Sequence, residues 1–244
     1  SAYSIANEFD LTACVIIKHA NPCGFGMDEH VKGAYLRAVS TDPVSYFGGI
    51  VGFNKRVDED VAIELSKPFL ECIIAPSFSK GAKEILKQKK NLRLISVQDD
   101  DEEVFISIKS VAGGYLYQQK DSLQLNMDDL NIVTEKKPTN TEIMAMDLGW
   151  KLVKYVKSNA IVFSNEKQLL GVGAGQMSRI DSVKIAIQKV TDNGLNLHGS
   201  IMASDAFFPF SDCVELAAEV GITCVIQPGG SIKDEEVIKI ANKL

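Results

Sequence analysis

No stretch of this 244-residue chain stays apolar for the length that a bilayer-spanning helix needs, and no secretory signal pattern opens it. Nor is there a basic surplus: 26 lysines and arginines face 32 aspartates and glutamates, a formal charge of −6. A nucleic-acid or anionic-membrane surface would show as a clustered basic face, so neither partner is expected, although a pocket for a small anion needs only one or two cations. Cysteines are few and form no pairing pattern. Cys14, Cys23, Cys72, Cys213 and Cys224 are scattered and odd in number, which reads as reduced thiols rather than a disulfide framework. These absences lead to the expectation of a soluble, cytoplasmic globule. A hydrophobic content of 45% over this length suffices for one large domain or two small ones.

What is present is a run of short apolar stretches, several ending in proline, alternating with amphipathic ones. Ala13 to Ile17 reads as a buried strand that emerges at Lys18-His19. The turn is expected over Asn21 to Gly24, because the residue before a proline avoids the helical region and Gly24 lets the chain reverse. Helical spacing then runs from Met27 to Val39 with Asp28 as N-cap. A strand from Phe47 to Phe53, a helix from Val57 to Leu70, a strand over Cys72 to Ala75 and a helix from Gly81 to Lys90 follow. Strands are expected over 92–97 and 104–108, with the acidic run Asp99 to Glu103 as an exposed hairpin tip. Thr139 or Thr141, with Glu142, opens a long helix whose Met146, Trp150 and Leu152 fall at core spacing.

From Ala160 the pattern repeats: strand (Ala160 to Phe163), glycine loop (Gly171 to Gln176), helix (Arg179 to Val190), strand (Ser200 to Ser204), helix (Ser211 to Val220), strand ended by Pro228, helix (Asp234 to Asn242). Two related α/β units, residues 1–134 and 135–244, are the expected organisation, with ligands at strand ends and between the units. The chain opens and closes on helical segments, which reads as a piece of something larger.

Three constellations carry chemistry. Lys18 and His19 stand together where a buried strand emerges, and an imidazole beside an ammonium is a candidate general base. The glycines at 171, 173 and 175, with a helix N-terminus and Arg179 beyond them, read as an anion cradle. They fit neither the dinucleotide fingerprint nor a P-loop. Phe207, Phe208 and Phe210 around Pro209 cannot all enter one small core, so an aromatic wall for a planar ligand is one reading and packing against the other unit is the second. A fourth pattern misleads. His19-Ala20-Asn21-Pro22-Cys23 has the outline of a zinc deaminase motif, but Asn21 replaces the glutamate and Gly26 the second cysteine. Zinc catalysis is therefore not expected, and no metal is assigned.

Lys18-His19-Ala20-Asn21-Pro22-Cys23-Gly24, Gly171 to Ile180, Ser204 to Phe210 and Gln227 to Ser231, in that order along the chain, resemble the aminoimidazole-carboxamide ribonucleotide (AICAR) transformylase family. The resemblance implies two tandem cytidine-deaminase-like three-layer units without zinc. It implies formyl transfer from 10-formyltetrahydrofolate, the co-substrate, to the exocyclic amine of AICAR. By that likeness His19 takes the amine proton, Lys18 stabilises the oxyanion or protonates the leaving folate nitrogen, and Asn159 orients the histidine and the carboxamide. Gly48, Glu71, Arg179 and Phe207 align with nucleotide-binding positions, and Ile180, Asp212, Ser231 and Ile232 with the folate site. A homodimer and fusion to an IMP cyclohydrolase domain are also implied.

The family carries an Arg-Tyr-Gly segment before this region and an arginine- and histidine-bearing tail after it. These 244 residues alone are accordingly expected to bind AICAR poorly and to turn over little. Two rivals remain at this stage: an acyltransferase using Cys23 with His19, and a non-catalytic folate- or nucleotide-binding module.

Overall fold

The computed structural model describes residues 1–97, 106–119, 121, 125–126 and 129–244, and it is a mixed α/β structure. The first part runs α1 (Ala2–Ala6), β1 (Thr12–Lys18), β2 (Asn21–Asp28), α2 (Val31–Thr41), β3 (Ile50–Phe53), α3 (Glu59–Leu65), β4 (Cys72–Ala75), α4 (Lys80–Leu86) and β5 (Arg93–Ser96). After a separate hairpin of β6 (Ile106–Val111) and β7 (Gly114–Gln119) come α5 (Asn140–Val153), β8 (Ile161–Ser164), β9 (Leu169–Gly173), α6 (Arg179–Asp192), β10 (Ile201–Ser204), α7 (Asp212–Glu219), β11 (Cys224–Ile226) and α8 (Asp234–Lys243). The expected acidic tip at Asp99 to Glu103 lies outside the described residues. Among the described residues no helix is long and apolar enough to cross a membrane.

The two larger sheets have a comparable strand order. One sheet is β2-β1-β3-β4-β5 and the other β9-β8-β10-β11 read in the same sense. In each, a hairpin edge strand pairs antiparallel with the strand before it, that strand pairs antiparallel with its other neighbour, and the remaining pairs are parallel. The likeness reaches the details. Each hairpin has a register shift at the matching place, between Ile16 and Ile17 and between Phe163 and Ser164. Asn54 after β3 accepts the Ala13 N–H through Oδ1 at 2.8 Å, and Asp205 after β10 accepts the Ala160 N–H at 3.0 Å.

The hairpin strands β2 and β9 are where the structure departs from the sequence reading. The turn is not Asn21 to Gly24: Lys18 pairs with Asn21, so the reversal is made by His19 and Ala20 alone. Pro22 is tolerated because β2 is an edge strand. The glycines that looked like turn residues serve helix packing instead. A Cβ at Gly24 or Gly26 would run into the α2 backbone at Ala38 and Ala34, and one at Gly171 or Gly173 would meet α6 at Ala186 and Ser182. Gly171 and Gly173 therefore lie within β9, not in an anion-cradling loop; only Gly175, with φ +71°, belongs to the turn beyond. With β2 taking residues up to Asp28, α2 begins at Val31 with His30, not Asp28, at its N-cap. The third strand likewise starts at Ile50 rather than Phe47, and α3 is a short helix capped by Asp58.

Both faces of β1 are covered, which explains its unbroken apolar run. Ala13, Val15 and Ile17 face a central core shared with α1, α5 and the second sheet, while Cys14 and Ile16 face a core under α2, α3 and α4. Ile161 and Phe163 of β8 face a third core under α6 and α7. The two sheets meet at their edges, where Gly26 bridges Gln168 and the Met27 N–H donates to Lys167 O at 2.8 Å. Helix α5 is started by Thr139 rather than Thr141, in a reciprocal capping box with Glu142.

Candidate active site

The hairpin tip is strained. His19 and Ala20 have φ of +48° and +69°, the doubly left-handed geometry of a two-residue hairpin turn, which favours asparagine and glycine. For residues bearing a Cβ this conformation costs on the order of 1–2 kcal/mol each, and such strain persists where the surrounding structure holds it, commonly at functional sites. The turn leaves His19 exposed at the end of a strand that is buried from Ala13 to Ile17. Beside it, the Lys18 ammonium donates to Phe47 O at 2.7 Å. Gly48, at φ +65°, passes so close that a Cβ there would sit 3.0 Å from Lys18 Nζ and 3.5 Å from the Phe69 ring. Phe47 and Phe69 are both exposed and their rings lie 5.5 Å apart. Glu71, at the same edge of the sheet, is exposed and paired with Arg93 at 2.9 Å.

The second sheet brings Asn159 to this edge. The hairpin tip is tied to that segment through Asn21, whose Oδ1 accepts the Lys157 N–H at 2.9 Å; Gly175 N–H in turn donates to Lys157 O at 2.7 Å. Both ends of the Asn159 side chain are engaged. Its Nδ2 donates to Gln176 O (2.9 Å) and Met177 O (3.1 Å), and its Oδ1 accepts from Arg179 Nη2 at 2.8 Å. Ser182 Oγ donates to Asn159 O at 2.8 Å, and the Ser158–Asn159 peptide bond is cis.

Arg179 does not stand as a free fork. It is buried, and Nη1 donates to Ser204 Oγ at 2.9 Å and to Asp205 Oδ1. Asp205, which the sequence reading passed over, anchors this cluster. Burial pushes its carboxyl up, but hydrogen bonds from Ser158, Arg179 and the Ala160 N–H outweigh that and hold it below the ordinary aspartate value. The signal that could have found it was a carboxylate at a strand end with an arginine nearby to neutralise it.

The remaining candidates lie farther out on the same edge of the second sheet, in the segments after β10 and β11 and at the starts of α6 and α7. Of the three phenylalanines Phe208 alone is core, at 1% exposure, whereas Phe207 and Phe210 are exposed. Ile180 packs partly against the third core. The Asp212 carboxylate accepts the Cys213 N–H at 2.8 Å. Ser231 sits in a turn shaped by left-handed Gly229 and Gly230, with its N–H on Asp234 Oδ2 at 3.1 Å, and Ile232 next to it is 99% exposed.

Cys23 is a poor nucleophile. It is the bulged residue opposite Ile16 and Ile17, and its thiol reaches Ile16 O at 3.5 Å. Burial, with the Asp42 charge adding to it, pushes the thiol up to about 12. The thiolate is thus scarce at neutral pH, and thiolate is what attacks.

Comparison with known proteins gives three findings. The family described as "AICARFT/IMPCHase bienzyme" matches over residues 1–189. The "Bifunctional purine biosynthesis protein PurH" of Acetivibrio thermocellus is 49% identical over 99% of this chain, and the chain spans 47% of that protein's length. Among solved structures, "Acinetobacter baumannii RibD, form 1" aligns with 35% of this chain and 28% of its own at 17% identity and a TM-score of 0.28, too slight a likeness to carry an argument.

Proposed function

We propose, from the premise that this chain belongs to the AICARFT/IMPCHase bienzyme family, that it carries the formyl-transfer centre of a bifunctional purine-biosynthesis enzyme. The substrates are 10-formyltetrahydrofolate and AICAR. The chain is about half of its bifunctional relative, and the IMP cyclohydrolase belongs to the other half. The finer reading of the fold is two tandem cytidine-deaminase-like units, 1–134 and 135–244, supported by the shared strand order and the matching hairpin bulges. The assembly is a cytoplasmic homodimer.

The observation that carries the chemistry is the strained turn that presents His19 beside Lys18, tied through Asn21 to the segment holding Asn159. The AICAR amine attacks the formyl carbon while His19 takes its proton. The carbonyl oxygen becomes an oxyanion, and the bond to the folate nitrogen then breaks with a proton delivered to that nitrogen. Lys18 has three N–H donors and spends one on Phe47 O; the other two are free to meet the oxyanion or the leaving nitrogen. Asn159 is held in one orientation, so a ligand meets a preset face rather than a mobile amide. Gly48, Glu71 and Phe207 line the nucleotide side, where the absence of a Cβ at Gly48 keeps room beside Lys18. Arg179 serves that side through Asn159. Ile180, Asp212, Ser231 and Ile232 form the folate side.

The test is loss of formyl absorbance from the folate, dependent on AICAR, in the full-length protein and its His19→Ala form. Removal of a general base should lower kcat by about 10²–10⁴-fold. Retained turnover in His19→Ala would end the assignment, and substrate binding without transfer in the wild type would favour a binding module.

A further inference from the structure

The two halves of the proposed centre are held by one helix. At the first residue of α6, Arg179 fixes Asn159. Ten residues on, roughly 15 Å along the helix at 1.5 Å per residue, Lys189 reaches across to the first unit. Its Nζ lies 3.0 Å from Asp42 Oδ2. Asp42 is buried and organises the segment after α2: its Oδ1 accepts the N–H groups of Ser45 (2.8 Å) and Val44 (3.2 Å), and its carbonyl accepts the Tyr46 N–H. That segment runs directly into Phe47, whose carbonyl holds the Lys18 ammonium, and Gly48, whose N–H is pinned on Phe69 O at 2.8 Å. A second tie supports the seam, since Asn193 Nδ2 donates to Thr41 O at 2.8 Å just past the end of α6.

We infer that Lys189 is a positioning residue for Lys18: by clamping Asp42 from the second unit, it sets the Asp42-to-Gly48 segment and thereby the direction of the ammonium that meets the reacting oxygen or nitrogen. Helix α6 is then a common strut, setting Asn159 at one end and Lys18 at the other. No role for position 189 is visible in the sequence, where it is one lysine on an amphipathic helix. The Lys189 side chain is 44% exposed and the Asp42 side chain 10%. Because Lys189 is largely in water, solvent can take its place at Asp42, which keeps the Val44 and Ser45 N–H groups as donors, so removal of the lysine should leave the fold in place and act on geometry, where displacements of about 1 Å are felt as large rate changes.

This inference rests on the formyl-transfer reading, and the experiment separates the two. In the full-length protein, kcat and KM for AICAR are measured for wild type, Lys189→Met and Lys189→Arg, with melting temperatures as a check on folding. Lys18 acylation by a mild amine reagent is followed by mass spectrometry in the same three proteins, a readout that does not depend on turnover. Expected are a kcat about tenfold lower in Lys189→Met with KM within about twofold, recovery in Lys189→Arg because the ion pair to Asp42 is kept, and faster Lys18 acylation in Lys189→Met alone. An active wild type with unchanged kcat and unchanged Lys18 acylation in Lys189→Met overturns the inference. A loss that Lys189→Arg does not recover, with Lys18 labelling unmoved, overturns it too, by showing a merely structural role. A wild type without formyl transfer refutes the functional reading instead, and Lys18 labelling still decides for or against the strut.

Discussion

Replacing Arg179 by methionine tests whether the charge cluster behind Asn159 is held as the geometry requires. The substitution keeps a long, unbranched side chain in a site where the arginine side chain is 8% and the Asp205 side chain 16% exposed, so it removes charge more than volume. It leaves Asp205 with the Ala160 N–H and Ser158 as donors but no cation. Breaking a buried pair by removing one partner costs about 3–5 kcal/mol, because the other charge stays desolvated. Against the usual total of about 5–15 kcal/mol for a domain, that is severe. The pH dependence has a definite sign. The Asp205 carboxyl is held below its unfolded value, so the pair's contribution is complete above the unfolded aspartate value of about 3.9 and is lost as pH falls through the folded one. In Arg179→Met burial is unopposed by a guanidinium, the carboxyl titrates higher, and its protonation relieves the unpaired charge. The deficit relative to wild type should therefore shrink as pH is lowered from about 7 toward about 4. Urea unfolding of the 244-residue chain, read by its single tryptophan, Trp150, measures this directly. Arg179→Met/Asp205→Asn should recover most of the loss at neutral pH, since nothing charged is then left buried there. A deficit under about 1 kcal/mol, or a double variant no better than the single one, would refute the charge-pair account.

Two further outcomes follow from the hairpin. Ala20→Gly removes the left-handed penalty at φ +69° without touching His19, and should stabilise the chain by about 1 kcal/mol in the same unfolding experiment while formyl transfer is kept. Cys23→Ser should leave kcat within about threefold of wild type in the folate assay, because a thiol pushed up to about 12 contributes no nucleophile; a loss beyond about a hundredfold would revive the cysteine mechanism.

Much of this was readable from the chain alone, and the misses have physical causes. The helices α4, α5, α6, α7 and α8 and the strands β1, β4, β8, β10 and β11 were legible because apolar periodicity and capping residues act within a few positions. The edge strands β2 and β9 were not, because Asn-Pro-Cys-Gly-Phe-Gly and Gly-Val-Gly resemble turns when read locally. Their glycines answer to α2 and α6 lying against them, a constraint that sits many residues away. Phe208 parted from Phe207 and Phe210 for a similar reason: the sequence could state that three aromatics would not fit, while only the packing selected which one did. Arg179 was found as a cation near a helix start, but its inward turn depends on Asp205, on a different strand end. Asp42 and Lys189 gave no sign at all.

Lys18 and His19 are different. Their adjacency at the end of an apolar strand is a property of the sequence itself, as are the family strings, the recurring order of apolar and amphipathic stretches and the formal charge of −6, since all of these are local or compositional. What the tertiary structure alone decided is how the pair is presented: the turn falls on His19 and Ala20, the ammonium is aimed by Phe47 O, and Asn159 is fixed from the other sheet. The turn follows from the β1–β2 register, the ammonium's direction from a carbonyl 29 residues along the chain, and the Asn159 orientation from partners 17 to 20 residues beyond it; no pattern along one strand or helix encodes these contacts.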